Sequence, residues 1–301
     1  MRKVLKGVAF VVAALVIIVA ALGLAAGPLS ERKRNRIVEI AVAPVAYIEG
    51  EAALARGRYL FESRGCAECH GANGSGHEII NDPGGFYVKS PNITPGPGSV
   101  VKEYREVDWV RTIRHGVSRQ KHALFLMPSG DYNRMTDVDV AALVAYVRNL
   151  PPATGTGAVI RFPLMLQALY ATGAVKDAAE TINHVLPPAE PIPEGVTAEH
   201  GAYVAQLCKG CHGDGYSGGK IPGTPPDWPP AANLTPGPGS AMTQYDTAEK
   251  FAAMLQSGKR PDGSAVSPVM PFPTLSKLNA MDVGAVYVFL KTVPARPAGG
   301  R

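Results

Sequence analysis

The sequence predicts a mainly α-helical chain of two tandem domains, preceded by one N-terminal transmembrane helix. Three observations predict this fold class: an uncharged stretch near the N-terminus, two matching cysteine motifs, and a repeat that follows each motif. The predicted organisation, in chain order, is a membrane anchor or signal peptide at 1–30, a juxtamembrane segment at 31–49, a first domain at 50–152, a proline-rich linker at 153–195, a second domain at 196–295 and a tail at 296–301.

The composition excludes several classes of protein. Hydrophobic residues make up 46% of the 301 residues and charged residues 18%, which fits neither a wholly disordered chain nor a polytopic membrane protein. The net charge of +5 comes from the N-terminus, because residues 1–40 carry seven Lys and Arg but only two acidic residues. The rest of the chain is neutral, so the sequence gives no support for nucleic-acid binding.

The uncharged stretch covers residues 8–26. As a helix it would extend about 28 Å, close to the thickness of a bilayer core. A cleaved signal peptide is the alternative, since basic residues precede the stretch and Gly23-Leu24-Ala25 could serve as a cleavage site. The length of the stretch favours a retained transmembrane helix, and residues 8–26 therefore make the inner membrane a predicted partner.

All four cysteines fall in two C-x-x-C-H motifs, which are typical of covalent attachment of c-type haem. The motifs read Cys66-Ala-Glu-Cys69-His70 and Cys208-Lys-Gly-Cys211-His212. Thiols three residues apart on a helical turn can reach the two vinyl groups of one porphyrin, and the histidine that follows can bind the iron. Three other interpretations account for the motifs less well: a redox dithiol, a zinc ion shared by both pairs, and structural disulfides. None of them requires a histidine after each pair.

The segments after the two motifs repeat each other. Pro91–Ser99 matches Ala232–Ser240 at an offset of 141 residues, and further matches continue at nearly the same offset towards each domain end. Met127 and Met270 coincide in this comparison, and each is followed by proline, which keeps the methionine on a loop. The repeat therefore predicts Met127 and Met270 as the second iron ligands, with two core methionines as the alternative.

Each domain is predicted to have its first and last helices crossing. The first helix of each domain contains a glycine, Gly57 or Gly201, whose small size permits a close helix contact. The last helix of each domain is apolar and ends near Pro151 or Pro294. Between the domains, the apolar segment 159–170 is expected to pack on a haem domain, a partner or the membrane surface, whereas the C-terminal residues are expected to form a loose tail. The repeated Asn-x-Thr-Pro-Gly-Pro-Gly loops have two possible roles, which the sequence leaves open. Their side chains could contact the haem edges, or they could stabilise a turn; the residues concerned are Asn92, Thr94, Asn233 and Thr235.

With these motifs the chain resembles the membrane-anchored multihaem cytochrome c subunits that accompany periplasmic alcohol, gluconate and sorbitol dehydrogenases. The likeness covers roughly residues 50–295 and implies two tandem class I-like cytochrome c domains carrying two covalently bound haem c groups. It also implies the roles of the motif residues: thioether attachment by Cys66, Cys69, Cys208 and Cys211, proximal iron ligation by His70 and His212, and distal ligation by Met127 and Met270. Such subunits usually have three haem motifs and this chain has two, which leaves the partner open.

The leading functional hypothesis is a membrane-anchored dihaem electron-transfer protein. It would pass single electrons from a dehydrogenase subunit to a quinone, an oxidase or a soluble cytochrome, without catalysing a reaction on a substrate. Because haem c is attached outside the cytoplasm, the expected location is the bacterial inner membrane, single-pass, with the haem domains in the periplasm. The alternative is a dihaem enzyme, a peroxidase or a sulfur-compound oxidoreductase, in which one iron ligand exchanges. A haem redox sensor has less support, because no output domain is recognisable.

Overall fold

The computed structural model describes residues 2–225 and 227–301, and about 43% of the chain is helical. The helices are α1 (Arg2–Arg34), α2 (Glu51–Ser63), α3 (Cys66–His70), α4 (Glu106–His115), α5 (Ser129–Tyr132), α6 (Asp137–Arg148), α7 (Leu164–Ala171), α8 (Ala178–Thr181), α9 (Ala198–Val204), α10 (Lys209–His212), α11 (Ala248–Ser257), α12 (Phe272–Leu275) and α13 (Ala280–Leu290). Two 3-10 helices are formed by Ala205–Cys208 and Ala241–Gln244, and three strands are β1 (Glu78–Asn81), β2 (Tyr87–Lys89) and β3 (Val159–Arg161).

The N-terminal helix differs from the prediction. The uncharged stretch is helical, but it belongs to the longer α1, which packs against α7 and in which Ala26 and Ser30 are buried. Within the described residues, no helix combines the length and the hydropathy that crossing a membrane requires. The predicted transmembrane helix at 8–26 and the predicted single-pass location in the inner membrane are therefore wrong, and the inner membrane as a partner is not confirmed. Met1, the start of the predicted anchor, lies outside the described residues.

The first hydrophobic core forms where α2 crosses α6. A Cβ atom on Gly57 would overlap the carbonyl oxygen of Ala142, so only glycine permits this approach. Thr136 caps α6 by accepting a hydrogen bond from the Asp139 N–H at 3.1 Å, which fixes where the helix begins. Eight of the twelve residues of α6 are buried, so the helix is enclosed on most of its faces.

The second core repeats this arrangement with α9 and α13. A Cβ atom on Gly201 would overlap the carbonyl oxygen of Ala285, and Asn279 caps α13 by accepting from the Asp282 N–H at 2.8 Å. The predicted crossing of first and last helices at Gly57 and Gly201 is therefore confirmed in both halves of the chain.

A small sheet and the segment between the halves surround the first core. The strands pair antiparallel in the order β1-β2-β3, with Val88 opposite Ile160. Since β3 follows α6, the sheet joins the predicted linker to the first half. Phe162 and Tyr170, on either side of the start of α7, are buried in an aromatic cluster with Phe125.

The two halves contact each other through reciprocal polar pairs. The Tyr59 hydroxyl, from α2, donates to Asp282 of α13 at 2.6 Å, and the Tyr203 hydroxyl, from α9, donates to Asp139 of α6 at 2.6 Å. Both carboxylates are buried and sit at equivalent positions in the third residue of their helices. The structure thus relates the halves by an approximate two-fold arrangement.

The C-terminal residues are held against the second half. The carbonyl oxygen of Arg296 accepts hydrogen bonds from Asn233 at 2.9 Å and Thr235 at 3.1 Å, and the Arg301 guanidinium donates to the Cys211 carbonyl at 3.0 Å. The prediction of a loose tail is wrong, because the loop that follows the second cysteine motif presents buried donors and acceptors that this segment satisfies.

Candidate functional site

The first half contains an apolar cavity of about 1270 Å³, a volume that includes the solvent-open space at its mouth. Cys66, Cys69 and His70 line one side of it, and Met127 lies in the same lining. The remaining lining is largely aliphatic and aromatic, with Phe61 from α2 and residues of α4, α6 and the sheet. An apolar slot with one histidine and one methionine in its walls suits a flat, hydrophobic, metal-containing ligand.

A backbone carbonyl fixes the orientation of His70. The Nδ1 atom lies 3.1 Å from the Pro91 carbonyl oxygen, and since that oxygen only accepts, Nδ1 carries the proton. The Nε2 atom is then left with its lone pair available to a metal. Burial lowers the pKa of His70, which keeps the ring neutral as a metal ligand must be.

The second half has the same arrangement around a smaller cavity of about 710 Å³. Cys208, His212 and Met270 contribute to its lining, and Cys211 lies in the same short helix as His212. The His212 Nδ1 atom donates to the Ala232 carbonyl oxygen at 2.8 Å, and burial again lowers the pKa of the histidine. The carbonyls of Pro91 and Ala232 are equivalent, because each directly precedes the repeated Asn-x-Thr loop.

Sequence reasoning left these two acceptors unassigned. The signal was present, since each stands directly before the repeated Asn, but nothing in a residue type marks a backbone carbonyl as functional. A repeated segment of identical loop residues beside a metal-ligand motif is the feature that would have found them.

The four cysteines of the two motifs form no disulfide in the structure. Burial raises the pKa of Cys66 and of Cys208 to about 12, and it also raises the pKa of Cys69 and Cys211. A redox dithiol needs a lowered pKa instead, because its reactive form is the thiolate. The described part of the chain also holds no group of three or more His, Cys, Asp or Glu side chains placed to bind a metal, which removes the shared zinc site.

The two methionine loops have nearly the same conformation. Pro128 and Pro271 both have φ −79°, with ψ 53° and 67°, and each precedes a one-turn helix. The Met127 carbonyl accepts from the Ser129 N–H at 2.8 Å, and the Met270 carbonyl accepts from the Phe272 N–H at 2.8 Å. The duplication therefore extends to the backbone that presents each sulfur to its cavity.

The Asn-x-Thr loops bind their own backbone. Asn92 accepts from the Thr94 N–H at 2.9 Å and donates to the Ala153 carbonyl at 2.8 Å; Asn233 makes the same bonds with the Thr235 N–H at 2.9 Å and the Arg296 carbonyl at 2.9 Å. All four side chains, of Asn92, Thr94, Asn233 and Thr235, are fully buried, and none of them is part of either cavity lining. These bonds support the turn-forming interpretation, in which the loop holds the histidine's acceptor in place.

Three further histidines lie away from the cavities. The His115 Nδ1 and His184 Nδ1 atoms are 3.1 Å apart, and His122 contacts the Arg36 carbonyl. Neither His115 nor His122 belongs to the lining of the first cavity. They therefore give no support to an enzyme in which a second histidine replaces Met127.

The residues present fit a haem in both cavities. In the first, the indole Nε1 of Trp109 is buried without a hydrogen-bond partner and lines the cavity, which is the kind of donor that a propionate would satisfy. The equivalent residue in the second half is Phe251, which has no polar atom. Sequence reasoning missed Trp109, because a single indole gives no signal until its burial is known.

Comparison with known families identifies the first half. Residues 54–151 match the family model Cytochrome c, and this range contains α2, the first cysteine motif, Met127 and α6. This part of the chain is a cytochrome c domain, which implies covalently bound haem c.

Several curated relatives are cytochrome subunits of dehydrogenases. The chain is 26% identical over 278 residues to the fructose dehydrogenase cytochrome subunit of Gluconobacter japonicus, covering 82% of this chain and 54% of that protein. It is 34% identical over 105 residues to the alcohol dehydrogenase (quinone) cytochrome c subunit of Gluconacetobacter polyoxogenes, covering 33% of this chain and 22% of that protein. It is 32% identical over 102 residues to the gluconate 2-dehydrogenase cytochrome c subunit of Pantoea cypripedii, covering 32% of this chain and 23% of that protein.

These relatives show that the chain is homologous to dehydrogenase-associated cytochrome subunits. The chain spans about half the length of the fructose dehydrogenase subunit and less than a quarter of the other two.

Proposed function

We propose that the chain is a dihaem electron-transfer subunit that receives single electrons from a dehydrogenase and passes them to an acceptor. One haem c would be attached at Cys66 and Cys69 with His70 and Met127 as iron ligands. The other would be attached at Cys208 and Cys211 with His212 and Met270. The observation that carries the proposal is the repeated cavity in each half, with the cysteine helix and its carbonyl-bound histidine in one wall and a methionine of matched loop geometry in the same lining.

The protein's own residues have distinct parts in this function. Haem c would supply an iron that changes by one electron between its ferric and ferrous states. The carbonyls of Pro91 and Ala232 hold each histidine in one tautomer, and the apolar walls exclude water from the cavity. Histidine and methionine ligation in an apolar site stabilises the ferrous state, which raises the reduction potential and suits a carrier that takes electrons from a dehydrogenase.

The proposed electron donor is a dehydrogenase that oxidises a sugar, a sugar acid or an alcohol. The relatives named above support this donor, because each is the cytochrome subunit of such an enzyme. A quinone, an oxidase or a soluble cytochrome is the proposed acceptor. The paired ligands at both sites favour a relay over a substrate-binding enzyme, because they leave no iron position open.

Counting the haems tests the proposal. The protein, produced in cells that attach haem c, should weigh two haems more than the polypeptide and should give a pyridine haemochrome spectrum for two haems. The double variants Cys66→Ala/Cys69→Ala and Cys208→Ala/Cys211→Ala should each retain one haem. A wild-type protein with one haem or none would overturn the proposal.

Carbon monoxide separates the relay from the dihaem enzyme. A relay with both ligands in place should bind carbon monoxide poorly at both ferrous irons, because a methionine already occupies the position it needs. Rapid and complete binding at one iron of the native protein would instead support a peroxidase or a sulfur-compound oxidoreductase.

A further inference from the structure

The one-turn helix that follows each methionine packs on the cysteine motif of the other half. Helix α5, after Met127, contacts the 3-10 helix Ala205–Cys208 and helix α10. Helix α12, after Met270, contacts α2 and α3. Each cysteine motif therefore lies at the boundary between the halves, against the one-turn helix of the other half.

Asp131 and Tyr132, adjacent in α5, connect one cavity to the other motif. Tyr132 is buried, lines the first cavity, and donates its hydroxyl proton to the Arg64 carbonyl oxygen at 2.6 Å, two residues before Cys66. The Asp131 carboxylate lies against Gly210, between Cys208 and Cys211; its oxygens are 3.1 and 3.2 Å from the position of a Cβ atom on that glycine. Burial raises the pKa of Asp131 to about 7, and a hydrogen bond from the Gly210 backbone opposes this shift.

The influence of Arg64 on both motifs indicates that they lie close together. The pKa values of Cys66 and Cys208 are raised mainly by burial, and the charge of Arg64 lowers both of them. One buried guanidinium thus acts on a thiol from each half, while its Nη2 atom binds Asp282 at 3.1 Å. Both cysteines lie at the boundary, on the side of their cavities that faces the other half.

The equivalent pair in the second half is Thr274 and Leu275. Leu275 lines the second cavity, and Thr274 Oγ1 lies 3.5 Å from the position of a Cβ atom on Gly65. This contact is van der Waals packing, whereas α5 makes a hydrogen bond to the first motif through Tyr132 and places the Asp131 carboxylate closer to Gly210 than Thr274 lies to Gly65. Bonded and hydrogen-bonded atoms transmit electronic coupling better than packed atoms, so α5 provides the stronger connection.

We infer that Asp131 and Tyr132 form the path by which an electron crosses between the two haem sites, through the Gly210 backbone, α5 and the Arg64 carbonyl. This inference rests on the proposed function, since it needs both haems. One ferrous haem c is oxidised to the ferric state and the other ferric haem c is reduced to the ferrous state. One electron moves, and no proton or bond is exchanged. Asp131 and Tyr132 are positioning residues, which connect the sites without binding iron.

The test measures the rate of inter-haem electron transfer after pulse-radiolytic reduction, with both haem potentials determined by redox titration. Tyr132→Phe removes the hydrogen bond to the Arg64 carbonyl and should slow the transfer several-fold at equal driving force. Tyr59→Phe is the matched control, because it removes another 2.6 Å tyrosine hydrogen bond at the same boundary, to Asp282, that is not part of the path. It should transfer at the wild-type rate.

A second pair of variants tests the other end of the path. Asp131→Ala removes the oxygen that faces Gly210 and should also slow the transfer several-fold, whereas Asp131→Asn retains an acceptor oxygen and should restore most of the rate. Wild-type rates in both Tyr132→Phe and Asp131→Ala would overturn the inference, as would an equal slowing in Tyr59→Phe.

Haem counting keeps the two proposals apart. Each variant is first shown by mass to carry two haems. A protein that never carries the second haem contradicts the proposed function, whereas two haems with unchanged rates contradict only the path through α5.

Discussion

The first cavity measures about 1270 Å³ and the second about 710 Å³, although each is built on a cysteine motif and a methionine loop of the same kind. The extra wall of the first comes from strands, with Val88 of β2 and Ile160 of β3 in its lining. Met242 and Tyr245 line the second cavity at the positions that Val101 and Tyr104 hold in the first, so this part of the wall is repeated. The duplicated residues therefore set the ligands and part of the wall, whereas the strands contribute to the lining of the first cavity alone among the two.

The reciprocal carboxylates show a second difference between the halves. Asp139 pairs with Arg56 at 2.8 Å, and Arg56 is 24% exposed and also binds Glu194. Asp282 pairs with His200 at 2.8 Å and with Arg64, whose side chain is only 6% exposed. Equivalent positions thus hold a partly solvated ion pair in one half and a buried cluster in the other.

The largest effect on stability is expected from adding a side chain where the first and last helices of either half cross. Gly57→Ala and Gly201→Ala each place a Cβ atom on a backbone oxygen that cannot move aside, so each should lower the free energy of unfolding by more than about 3 kcal/mol. Urea unfolding of the two variants would measure this. Similar losses would confirm equivalent packing in the two halves, whereas a harmless Gly201→Ala would break the equivalence.

Removing each boundary carboxylate should cost the two halves different amounts of stability. Asp282→Asn leaves the buried Arg64 without its charge partner and should cost about 3 kcal/mol of unfolding free energy. Asp139→Asn should cost about 1 kcal/mol, because Arg56 keeps Glu194 and contact with water. Chemical unfolding near pH 7 would compare the two, and equal losses would contradict the difference in burial.

The acid dependence of Asp282 has a definite sign. Burial alone would raise the pKa of Asp282, but the charge of Arg64 and hydrogen bonds from Tyr59, His200 and Arg64 outweigh it and lower the pKa. Its stabilising contribution is therefore complete above the unfolded pKa of about 3.9 and is lost as pH falls through the lower folded pKa. Asp282→Asn should reduce the loss of stability below about pH 4, with Asp139→Asn as the comparison.

Replacing each methionine tests whether the two sites have the same ligand. Met127→His should lower the potential of one centre, and Met270→His that of the other, by on the order of 100 mV within the ≈ 0.8 V range that axial ligands cover. Redox titration followed by absorbance would resolve the two centres. A variant in which neither potential moves would remove that methionine as a ligand.

The smallest effect is expected from the difference between Trp109 and Phe251. Trp109→Phe removes the unpartnered indole N–H from the first cavity and gives it the residue found in the second. Loss of a hydrogen bond to a propionate should lower the first potential by about 40 mV, equivalent to about 1 kcal/mol. The second centre serves as the internal control, and an unchanged first potential would mean that the indole does not bind the haem.

Much of the candidate site could be predicted because the chain repeats itself. The repeat selected Met127 and Met270 from eight methionines, and the structure brings each into the cavity of its cysteine motif. Gly57 and Gly201 were predictable for the same reason, since a small residue at equivalent positions marks a close helix contact. A local sequence pattern carries this information because the residues involved recur at nearly constant spacing.

The rest depends on contacts between distant segments. The pairing of Val88 with Ile160 joins strands of three residues, which are too short to show an alternating pattern. The bonds from Tyr59 to Asp282 and from Tyr203 to Asp139 cross between the halves, and no spacing within one half predicts them. The transmembrane prediction rested on a run of uncharged residues alone; that run is helical within α1, but no described helix is both long and apolar enough to cross a membrane.

The exchanged tyrosine bonds have the form of an isologous interface, in which the same patch on two copies meets its own counterpart. Such a contact is what a symmetric dimer of a single-domain ancestor would have made. Joining the copies in one chain raises their effective concentration to the millimolar range, so the pairing no longer depends on assembly. Each copy was then free to change by itself, and the first helix of each half now presents a different side chain to the equivalent carboxylates, Arg56 to Asp139 and His200 to Asp282.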